Sequence, residues 1–478
     1  MSARTEPLRA HAGRLGLCLA LLFGGLAAGT GCDGVRGPDV LLVTVDTLRA
    51  DHVGAYGFEL DATPSLDSLA RRGVVFERAI AASSFTTPSH ASILTSLGVR
   101  EHSIGFENGG TRLDKEFTLA MAFRKAGYAT AAFVGNAMLK RRVGLDRGFD
   151  LYDDETPQSE RNRPFSFERI AGDTTDRALD WLRSQREPWF LWVHYQDPHG
   201  PYTPPAPFER DRKLQLESPV GEPTLSVNQD EITNGKGGIP SYQSLPGLFR
   251  LSEYRSRYAG EIRYFDQQMG RLFAGAEAAN SKPGLIILVT SDHGESFGED
   301  DYFLVHGHGT TPDLTWVPLV VAAPGLQPVR RAEPVHHIDI MPTLLELAGI
   351  PQPDSLTGLA LGPFLRAHQP IPERFLFSEL SNEVSGYYGD RFIRVKRFKS
   401  GTSDKTGQIR TFHWNPDGTW SPTNVDMDLL ERMKAQLPPR VEMVAATEWD
   451  EQDLARLRAL GYTTVGGDAP SPAARTNP

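Results

Sequence analysis

Short apolar runs alternate with amphipathic stretches along most of this chain. Residues 39–46 form one such run, which ends in an acid and predicts a buried parallel strand with Asp46 at its carboxyl end. Further strands are predicted at about 189–195, from residue 285 up to Asp292 and His293, and in the run WVPLVVAAPG. Strands that alternate with helices indicate an α/β fold with a largely parallel sheet.

Helices are predicted between these strands, where apolar residues recur at the helical period. The segment Pro64–Arg72 begins with proline, carries leucines on one side and precedes a glycine. A long amphipathic helix is predicted within 254–277, and shorter helices follow Phe117 and His337. Another helix is predicted to begin at Pro88, directly after the hydroxyl-rich stretch SSFTT.

The pattern changes along the chain in ways that predict its domain organisation. Residues 33–372 are predicted to form the main α/β domain, and the polar, aperiodic stretch 208–246 is predicted to form a surface excursion or lid within it. Shorter and more polar strands follow, so 373–464 is predicted to be a smaller α+β subdomain that includes a helix over 447–462. The tail 465–478 is predicted to be disordered.

The first 32 residues have the features of an export signal peptide. Three arginines precede an apolar stretch at 15–29 that is too short to span a bilayer comfortably. Its end, GLAAGTGC, resembles a bacterial lipoprotein cleavage box, although Gly29 replaces the usual leucine. We therefore expect an exported periplasmic or cell-surface lipoprotein, anchored at Cys32 and touching the membrane only through that lipid. An ordinary signal peptide or an uncleaved anchor is the alternative.

Composition narrows the function classes. The 478 residues carry a net charge of −10 with no prominent basic run, which argues against a nucleic-acid partner. Both cysteines, Cys18 and Cys32, lie in the predicted leader, so the body is expected to hold no disulfide and no catalytic thiol. A small anionic substrate is compatible with this charge, because a bound metal can supply local positive charge.

A candidate metal site lies at the carboxyl edge of the predicted sheet, where open α/β folds bind ligands. Asp46, Asp292 and His293 end two strands there, and Thr86 precedes a helix. The oxygen donors favour Ca²⁺ or Mg²⁺, and the histidine favours Mn²⁺ or Zn²⁺. A cation on the Thr86 oxygen would lower the pKa of the hydroxyl and make it a nucleophile. Taken singly, these residues are weak signals, because a lone Asp at a strand end or a Thr before a helix is more often a cap than a ligand.

Six motifs between about residues 39 and 365 resemble, in the same order, the sulfatase family of the alkaline-phosphatase superfamily. They are VTVDTLRADHVGAYG, TPSLDSLARRGVVFERAIAASSFTTPSHASILTS, DPHGPYTPP, SDHGESFGE, HGHGTTPDLTWVPLVVAAPG and DIMPTLLELAGI. The resemblance implies the family's α/β fold, one bound divalent cation (Ca²⁺ in this family) and hydrolysis of a sulfate or phosphate ester. Carried over residue by residue, it implies metal ligation by Asp46, Thr86, Asp292 and His293, nucleophilic attack by Thr86, and contact with the substrate oxyanion or leaving group by His199 and His308.

Four departures from the family pattern change the expected chemistry. The family has Cys or Ser where Thr86 stands and oxidises it to formylglycine, whereas a threonine could yield only a ketone. His90 replaces the family's arginine, Asn136 replaces its lysine, and Thr47 replaces the second acid after Asp46. These changes reduce the positive charge that is available to bind a sulfate ester. The pattern resembles instead the threonine-nucleophile branches, which cleave or transfer phosphoryl groups.

The remaining polar residues near the motifs are given smaller roles. His90, Asn136 and His306 are candidate substrate contacts. His194 is a weaker candidate, because on an apolar strand it is better explained as a core residue whose polar atoms are satisfied. Thr87 and Ser89 are predicted to cap the helix that follows Thr86.

We therefore expect a metal-dependent ester hydrolase with a covalent threonine intermediate. A phosphoester or phosphonate monoester is favoured over a sulfate ester, because a sulfated threonine has no hemiacetal elimination by which to release sulfate. The expected substrate is an anionic ester, either small or linked to a glycan or lipid. Two alternatives stay open: a transferase that passes a phosphoryl-linked head group to an envelope glycan or lipid, and an inactive binding protein that keeps the fold and the metal.

Overall fold

A nine-stranded mixed sheet forms the centre of the fold. The computed structural model describes residues 37–104, 112–114, 116–186, 188–228, 235–280, 284–380, 382–396, 408–415 and 419–441, of which 164–166 are described by their backbone alone. The predicted leader with Cys32, the predicted helix at 447–462 and the predicted tail lie outside these residues. Of the helices that the structure describes, none combines the length and hydropathy that a membrane-spanning segment needs.

The strands and helices are numbered in chain order. The strands are β1 (Asp39–Val45), β2 (Val74–Ile80), β3 (Ala129–Val134), β4 (Leu151–Asp153), β5 (Gln158–Glu160), β6 (Arg163–Glu168), β7 (Trp189–Tyr195), β8 (Val227–Asn228), β9 (Ile239–Pro240), β10 (Leu285–Ser291), β11 (Ser296–Phe297), β12 (Phe303–Val305), β13 (Trp316–Ala322), β14 (Val329–Arg331), β15 (Val335–His336), β16 (Leu376–Leu380), β17 (Glu383–Tyr388), β18 (Arg391–Lys396), β19 (Gln408–Trp414) and β20 (Trp420–Thr423). The helices are α1 (Pro64–Arg72), α2 (Thr86–Thr95), α3 (Val99–His102), α4 (Leu119–Lys125), α5 (Ala171–Ser184), α6 (Leu251–Ala279), α7 (Pro312–Thr315), α8 (Ile340–Leu347), α9 (Gly362–Arg366) and α10 (Met427–Gln436).

The central sheet has the strand order β14–β2–β13–β10–β1–β7–β3–β4, and β15 also pairs with β2. The stretch from β10 to β4 is parallel throughout, as the alternation of strands and helices predicts. In contrast, β13 is antiparallel to both β10 and β2, which makes the sheet mixed. Because β1 and β10 are parallel neighbours, residues that directly follow these two strands meet at one edge of the sheet.

Apolar packing covers both faces of this sheet, which explains why β1 is buried along its whole length. Val40 and Leu42 face a core that includes side chains of α2, α4 and α8. Leu41 and Val43 face a second core that includes side chains of α1, α5 and α6. This alternation follows the two-residue period of a strand, and helices on both faces are what parallel crossover connections require.

The predicted elements are present with small changes in their bounds. The first predicted helix is α1 over the predicted residues, and the long amphipathic helix is α6. The helix predicted to begin at Pro88 begins earlier, at Thr86. The described part of the excursion at 208–246 is mostly irregular, but Leu214, Ile239 and Leu245 are buried in the core beside α6 and anchor it.

A five-stranded antiparallel sheet, β16 to β20, forms the smaller C-terminal subdomain. Helix α10 covers one face of this sheet, where Leu429 and Met433 pack in a cluster with Ile393. The other face packs Phe392 in a cluster with Ile80 of the central sheet. The subdomain therefore contacts β2 directly and brings the β18 and β19 side chains alongside the main domain.

Candidate active site

The predicted metal ligands meet at the carboxyl edge of the central sheet. Asp46 directly follows β1, Asp292 and His293 directly follow β10, and the parallel pairing of these strands brings the three side chains together. One potential ligand atom from each of the three lies within 4.8 Å of the others, and all three residues are fully buried. Thr86 comes to the same point from the first turn of α2, with its Oγ1 3.5 Å from His293 Nε2.

The free atoms of this cluster fit a divalent cation. Asp46 Oδ1 and Asp292 Oδ2 are buried, and within the described part of the chain neither has a hydrogen-bond partner. His293 Nε2 lies 3.9 Å from the first oxygen and 3.5 Å from the second. The other ring nitrogen, Nδ1, lies 2.9 Å from the Gly294 carbonyl and donates to it, which leaves the Nε2 lone pair free for a metal. Three buried ligand atoms converge on one point, two of them without a partner and the third in contact only with the Thr86 hydroxyl, and this is what a cation site requires.

The pKa values of the cluster in the absence of a cation also indicate a cation site. Burial, reinforced by Asp292, raises the pKa of Asp46 well above its usual range. Burial also raises the pKa of Asp292 to about 8, although the backbone N–H groups of Thr47 and His293 donate to this carboxyl and act in the opposite direction. Burial and the neighbouring His306 lower the pKa of His293 well below its usual range. The pocket therefore disfavours every charged form until a cation compensates the carboxylates.

Thr86 occupies the first helical position of α2, and the neighbouring hydroxyls do not cap the helix as predicted. The N-cap residue is Phe85, and no side chain caps it in the described structure. The Thr87 hydroxyl donates instead to the Met138 carbonyl at 3.0 Å, and the Ser89 hydroxyl donates to the Ser83 carbonyl at 2.9 Å. The capping prediction for Thr87 and Ser89 is wrong, because both hydroxyls donate to backbone carbonyls outside the helix. No cap side chain therefore covers the first-turn N–H groups beside Thr86.

Asn136 supports the metal cluster from β3. Its Nδ2 donates to Asp46 Oδ2 at 2.5 Å, and its Oδ1 accepts from the Met138 backbone N–H at 2.7 Å. Both ends of the amide are thus engaged by the protein. The sequence predicts a substrate contact at Asn136, and the observed geometry favours a role in orienting Asp46.

His90 lies one turn into α2, behind Thr86. Its Nδ1 donates to the Thr86 carbonyl at 2.8 Å, and its Nε2 accepts from the Thr44 hydroxyl at 2.9 Å. Burial lowers the pKa of His90 to about 4, so the ring is neutral at neutral pH. A neutral ring with both nitrogens engaged cannot supply the fixed positive charge of the family's arginine. The geometry favours a role in holding the Thr86 backbone.

His194 differs from the prediction that it is a core residue whose ring nitrogens have hydrogen-bond partners. It is fully buried on β7, but neither ring nitrogen has a hydrogen-bond partner among the described residues. Its Nε2 lies 3.7 Å from Asp46 Oδ2, and its ring centroid lies 4.9 Å from that of His90. The prediction is therefore wrong in its second part: His194 is a core residue by position, but its polar atoms face the metal cluster unsatisfied.

Two further imidazoles form the outer wall of the site. The His306 ring lies 4.5 Å from the His293 ring and 5.3 Å from the His199 ring, measured between centroids. His306 Nδ1 is 3.2 Å from the buried carboxylate of Glu295, which also accepts from the Tyr202 hydroxyl at 3.0 Å. His199 Nδ1 lies 2.8 Å from the Gly200 carbonyl and donates to it. In both rings the contact of Nδ1 leaves Nε2 to face a ligand.

His308 lies at the edge of this group. Its ring stacks on Tyr302 with centroids 3.7 Å apart, and its Nε2 is 3.3 Å from the Ser296 hydroxyl. Its Nδ1 is buried and has no partner within the described ranges. Burial, with the nearby cations Lys396 and Arg394, lowers the pKa of His308 well below its usual range.

Sequence reasoning missed the supporting residues of the site. Glu295 follows the metal motif directly, but only the folded chain shows that its carboxylate orients His306. Thr44 and Tyr202 are also missed, because nothing in their local patterns distinguishes them from ordinary core residues. Each of these contacts joins residues on different elements, so only the tertiary structure shows it.

Comparison with known proteins agrees with the geometry. The family model "Sulfatase" matches residues 38–350. An arylsulfatase from Clostridium perfringens is 27% identical over 408 residues, covering 73% of this chain and 83% of that protein. The multifunctional alkaline phosphatase superfamily protein PehA from Trinickia caryophylli is 27% identical over 404 residues, covering 70% and 78%. The solved structure of a phosphonate monoester hydrolase from Silicibacter pomeroyi is similar in fold, with 22% identity, a TM-score of 0.61, and coverage of 84% of this chain and 94% of that one.

Proposed function

The chain belongs to the sulfatase family and is a sulfatase-like ester hydrolase, and from this premise we propose that it cleaves phosphoesters or phosphonate monoesters through a covalent intermediate on Thr86. One observation carries the proposal. The Thr86 hydroxyl lies at the cluster of Asp46, Asp292 and His293, at the start of a helix that no side chain caps. A nucleophile, a cation site and open backbone N–H groups thus face one small volume.

The cluster suits a divalent cation held by Asp46, Asp292 and His293 beside Thr86. Such a cation would lower the pKa of the Thr86 hydroxyl and offset the negative charge of the bound ester. The Asn136 amide and the His90 ring hold Asp46 and the Thr86 backbone in place. The oxygen-rich ligand set favours Ca²⁺ or Mg²⁺, and the single imidazole keeps Mn²⁺ and Zn²⁺ as candidates.

The reaction we propose has two displacement steps. In the first, the Thr86 oxygen attacks phosphorus, the bond from phosphorus to the leaving oxygen breaks, and a phosphothreonine forms. The proton that the Thr86 hydroxyl loses on attack passes through His199 or His308 to the departing oxygen. In the second, water attacks the same phosphorus and gives up a proton to the same histidine, the bond to Thr86 breaks, the Thr86 oxygen takes that proton back, and phosphate or phosphonate leaves. The first-turn N–H groups of α2 stabilise the anionic oxygens in both steps.

Threonine is the reason for preferring phosphorus over sulfur. A threonine cannot become an aldehyde hydrate, so a sulfated enzyme would have to release sulfate by direct hydrolysis. The name of the Trinickia caryophylli relative records a multifunctional alkaline phosphatase superfamily protein, which is compatible with phosphoester chemistry in a chain of this kind. The arylsulfatase relative keeps sulfate esters as the rival substrate class.

The substrate we propose is an anionic ester carried by a glycan or a lipid. A relative from Bacteroides thetaiotaomicron that is 26% identical over 392 residues is named a Δ4,5-hexuronate-2-O-sulfatase, so anionic sugars are substrates elsewhere among its relatives. We also propose export with lipid anchoring at Cys32, which would place the site in the periplasm or at the cell surface. Radiolabelled palmitate should then enter the wild-type chain and not a Cys32→Ala variant.

Parallel assays on nitrophenyl phosphate, nitrophenyl phenylphosphonate and nitrophenyl sulfate test the proposal. The metal-loaded protein should release nitrophenol from the two phosphorus esters faster than from the sulfate ester. Faster sulfate ester cleavage would contradict the phosphorus preference. Release that requires an added sugar or glycerol acceptor would indicate a transferase. No release from any ester, with metal bound at full occupancy, would indicate an inactive binding protein.

A further inference from the structure

A cavity of about 400 Å³ lies beside the candidate active site and is lined mainly by basic side chains. Its cations are Lys236, Arg394, Lys396 and Arg410, and Asp300 is its single acid. We call this cavity the basic cleft. Four cations around one cavity are unusual in a chain whose net charge is −10, so the cleft has a local field opposite to that of the whole protein.

The four cations differ in how firmly the protein holds them. Arg394 is fixed: its Nε lies 2.7 Å from Glu383 Oε1, and its Nη1 lies 2.8 Å from Asp300 Oδ2. Lys396 lies 3.5 Å from Glu383 Oε2, a longer contact. No ion pair of Lys236 or Arg410 is found among the described residues, and both are exposed. The cleft therefore combines an anchored guanidinium with cations free to bind an anion.

The basic cleft and the active site share a wall. Tyr302 lines the cleft, and the His308 ring stacks on the Tyr302 ring. Gly309 lies against Arg394, where a methyl group on its Cα would come within 3.2 Å of Arg394 Nη2. The Gly309 carbonyl in turn accepts from the Ser84 hydroxyl at 2.7 Å, two residues before Thr86. Tyr302 thus belongs to the lining of the cleft and also contacts His308 of the active site.

Lys236 comes from the irregular stretch 208–246, whereas the other cations come from the C-terminal sheet. A backbone bridge between Lys236 and Tyr302 and the position of the Lys236 ammonium 5.7 Å from the Tyr302 ring centroid place this residue at the cleft. Two parts of the fold that do not supply the metal ligands therefore meet here. A site assembled in this way suits recognition of a substrate rather than the chemistry itself.

We propose that the basic cleft binds a second anionic group of the substrate while the ester itself lies at Thr86. The substrate class is then an anionic oligosaccharide, whose neighbouring sugar carries a carboxylate or sulfate that the cleft cations pair with. This inference rests on the proposed ester hydrolysis, and it adds which substrates the enzyme selects. The carboxylate or sulfate would displace water from the exposed cations and gain a charge-assisted hydrogen bond from Arg410 or Lys236.

A double variant, Lys236→Ala with Arg410→Ala, tests the cleft without touching the catalytic residues. The matched control is Arg72→Ala with Arg183→Ala, which also removes two exposed cations but on α1 and α5. Each variant and the wild type are assayed on nitrophenyl phosphate, which has one anionic group, and on a phosphorylated disaccharide that also carries a uronate. Each lost exposed charge contact is expected to raise KM for the disaccharide about two- to fivefold. KM for nitrophenyl phosphate and kcat for both substrates should stay unchanged.

A binding measurement keeps this test independent of turnover. Metal-loaded Thr86→Ala protein, with and without the cleft substitutions, is titrated calorimetrically with a sulfated, uronate-containing tetrasaccharide. Affinity should fall in the cleft variant and not in the control, and the difference should shrink as salt rises, because screening weakens exposed charge pairs. Equal affinities in cleft and control variants would overturn the inference, even if the wild type hydrolyses esters. Equal KM increases on both substrates would also overturn it, since the cations would then act on the ester itself. Turnover that fails on every ester would refute the proposed hydrolysis, and the titration would still decide whether the cleft binds anionic sugars.

Discussion

Replacing Asp292 by asparagine should have opposite effects on the protein with and without metal. The Asp292 Oδ1 atom accepts from the backbone N–H groups of Thr47 and His293, and an asparagine oxygen can keep both contacts. The new amide nitrogen would stand where Oδ2 lies, 3.5 Å from His293 Nε2, and could donate to that free lone pair. Asp292→Asn therefore removes a cation ligand. The new amide still forms hydrogen bonds with the groups that the carboxylate contacted.

The magnitude follows from the pKa of the buried carboxyl. Raising the pKa of Asp292 from 3.8 to about 8 sets an upper limit of about 5 kcal/mol on the cost of its ionisation in the metal-free fold at pH 8. The sign is that of a raised acid: the folded form holds a proton that the unfolded chain releases, so stability falls as pH rises from about 4 to 8. Metal-free Asp292→Asn should thus unfold at a higher temperature than metal-free wild type at pH 8, with a smaller difference at pH 5.

Adding metal should reverse this order. A cation present at about 10⁴ times its dissociation constant stabilises the wild type by about 5.5 kcal/mol, which exceeds the cost of the buried carboxylate, and it should not stabilise the variant. Calorimetric melting with and without chelator measures both effects, and elemental analysis measures metal content. Asp428→Asn, on the exposed face of α10, is the control and should change neither. Full metal occupancy in Asp292→Asn, or a metal-free variant less stable than wild type at pH 8, would refute this assignment.

Three further predictions concern the surroundings of the cluster. Asn136→Ala should lower metal affinity by about 10- to 100-fold in a chelator competition assay, because it frees the Asp46 carboxylate to rotate, and unchanged affinity would contradict its orienting role. His199→Ala should slow esters with poor leaving groups by about 10²- to 10⁴-fold and nitrophenyl esters far less in steady-state assays, whereas equal losses would exclude a leaving-group role. Burial and Asp197 raise the pKa of Glu261 well above its usual range, so the folded state retains a proton and stability should fall as pH rises above about 4.5. Glu261→Gln should reduce that fall in melting scans at pH 5.5 and 8, and an unchanged slope would show that another group titrates.

The part of the structure that sequence predicts well is the part set by local pattern. Continuous apolar runs predict β1 and β10. The acids that follow these strands form the metal cluster, because the carboxyl ends of two parallel neighbouring strands lie at the same edge of the sheet. The order of motifs adds Thr86, since a hydroxyl before a helix has little meaning alone. These predictions depend on residues that are close in sequence or on one well-defined sheet edge.

The contacts that sequence could not predict are those decided by distant residues. The Thr87 hydroxyl is a suitable cap by local rules, but it donates to the carbonyl of the distant residue Met138. The Ser89 hydroxyl donates instead to the Ser83 carbonyl, which the turn ahead of the helix brings within reach. The environment of His194 also depends on a distant residue. An apolar strand predicts a core histidine whose ring nitrogens have hydrogen-bond partners, and only the folded chain shows that its Nε2 lies near Asp46 instead.

The basic cleft was equally hidden from sequence. Its cations lie as far apart in the chain as Lys236 and Arg410, and no basic run marks them. Their meeting depends on how the C-terminal sheet packs beside the main domain. Such a site becomes visible only when the distances between elements are known.

Mass spectrometry of a trapped intermediate tests the central claim, that Thr86 is the nucleophile. Metal-loaded protein is acid-quenched during turnover of a slow nitrophenyl phosphonate ester, digested, and searched for the added phosphonyl mass on the peptide spanning residues 79–100. The adduct is expected on Thr86, should be retained on the serine in Thr86→Ser, and should be lost together with turnover in Thr86→Ala. An adduct on Ser84 or Ser89, or an active Thr86→Ala protein, would contradict the account.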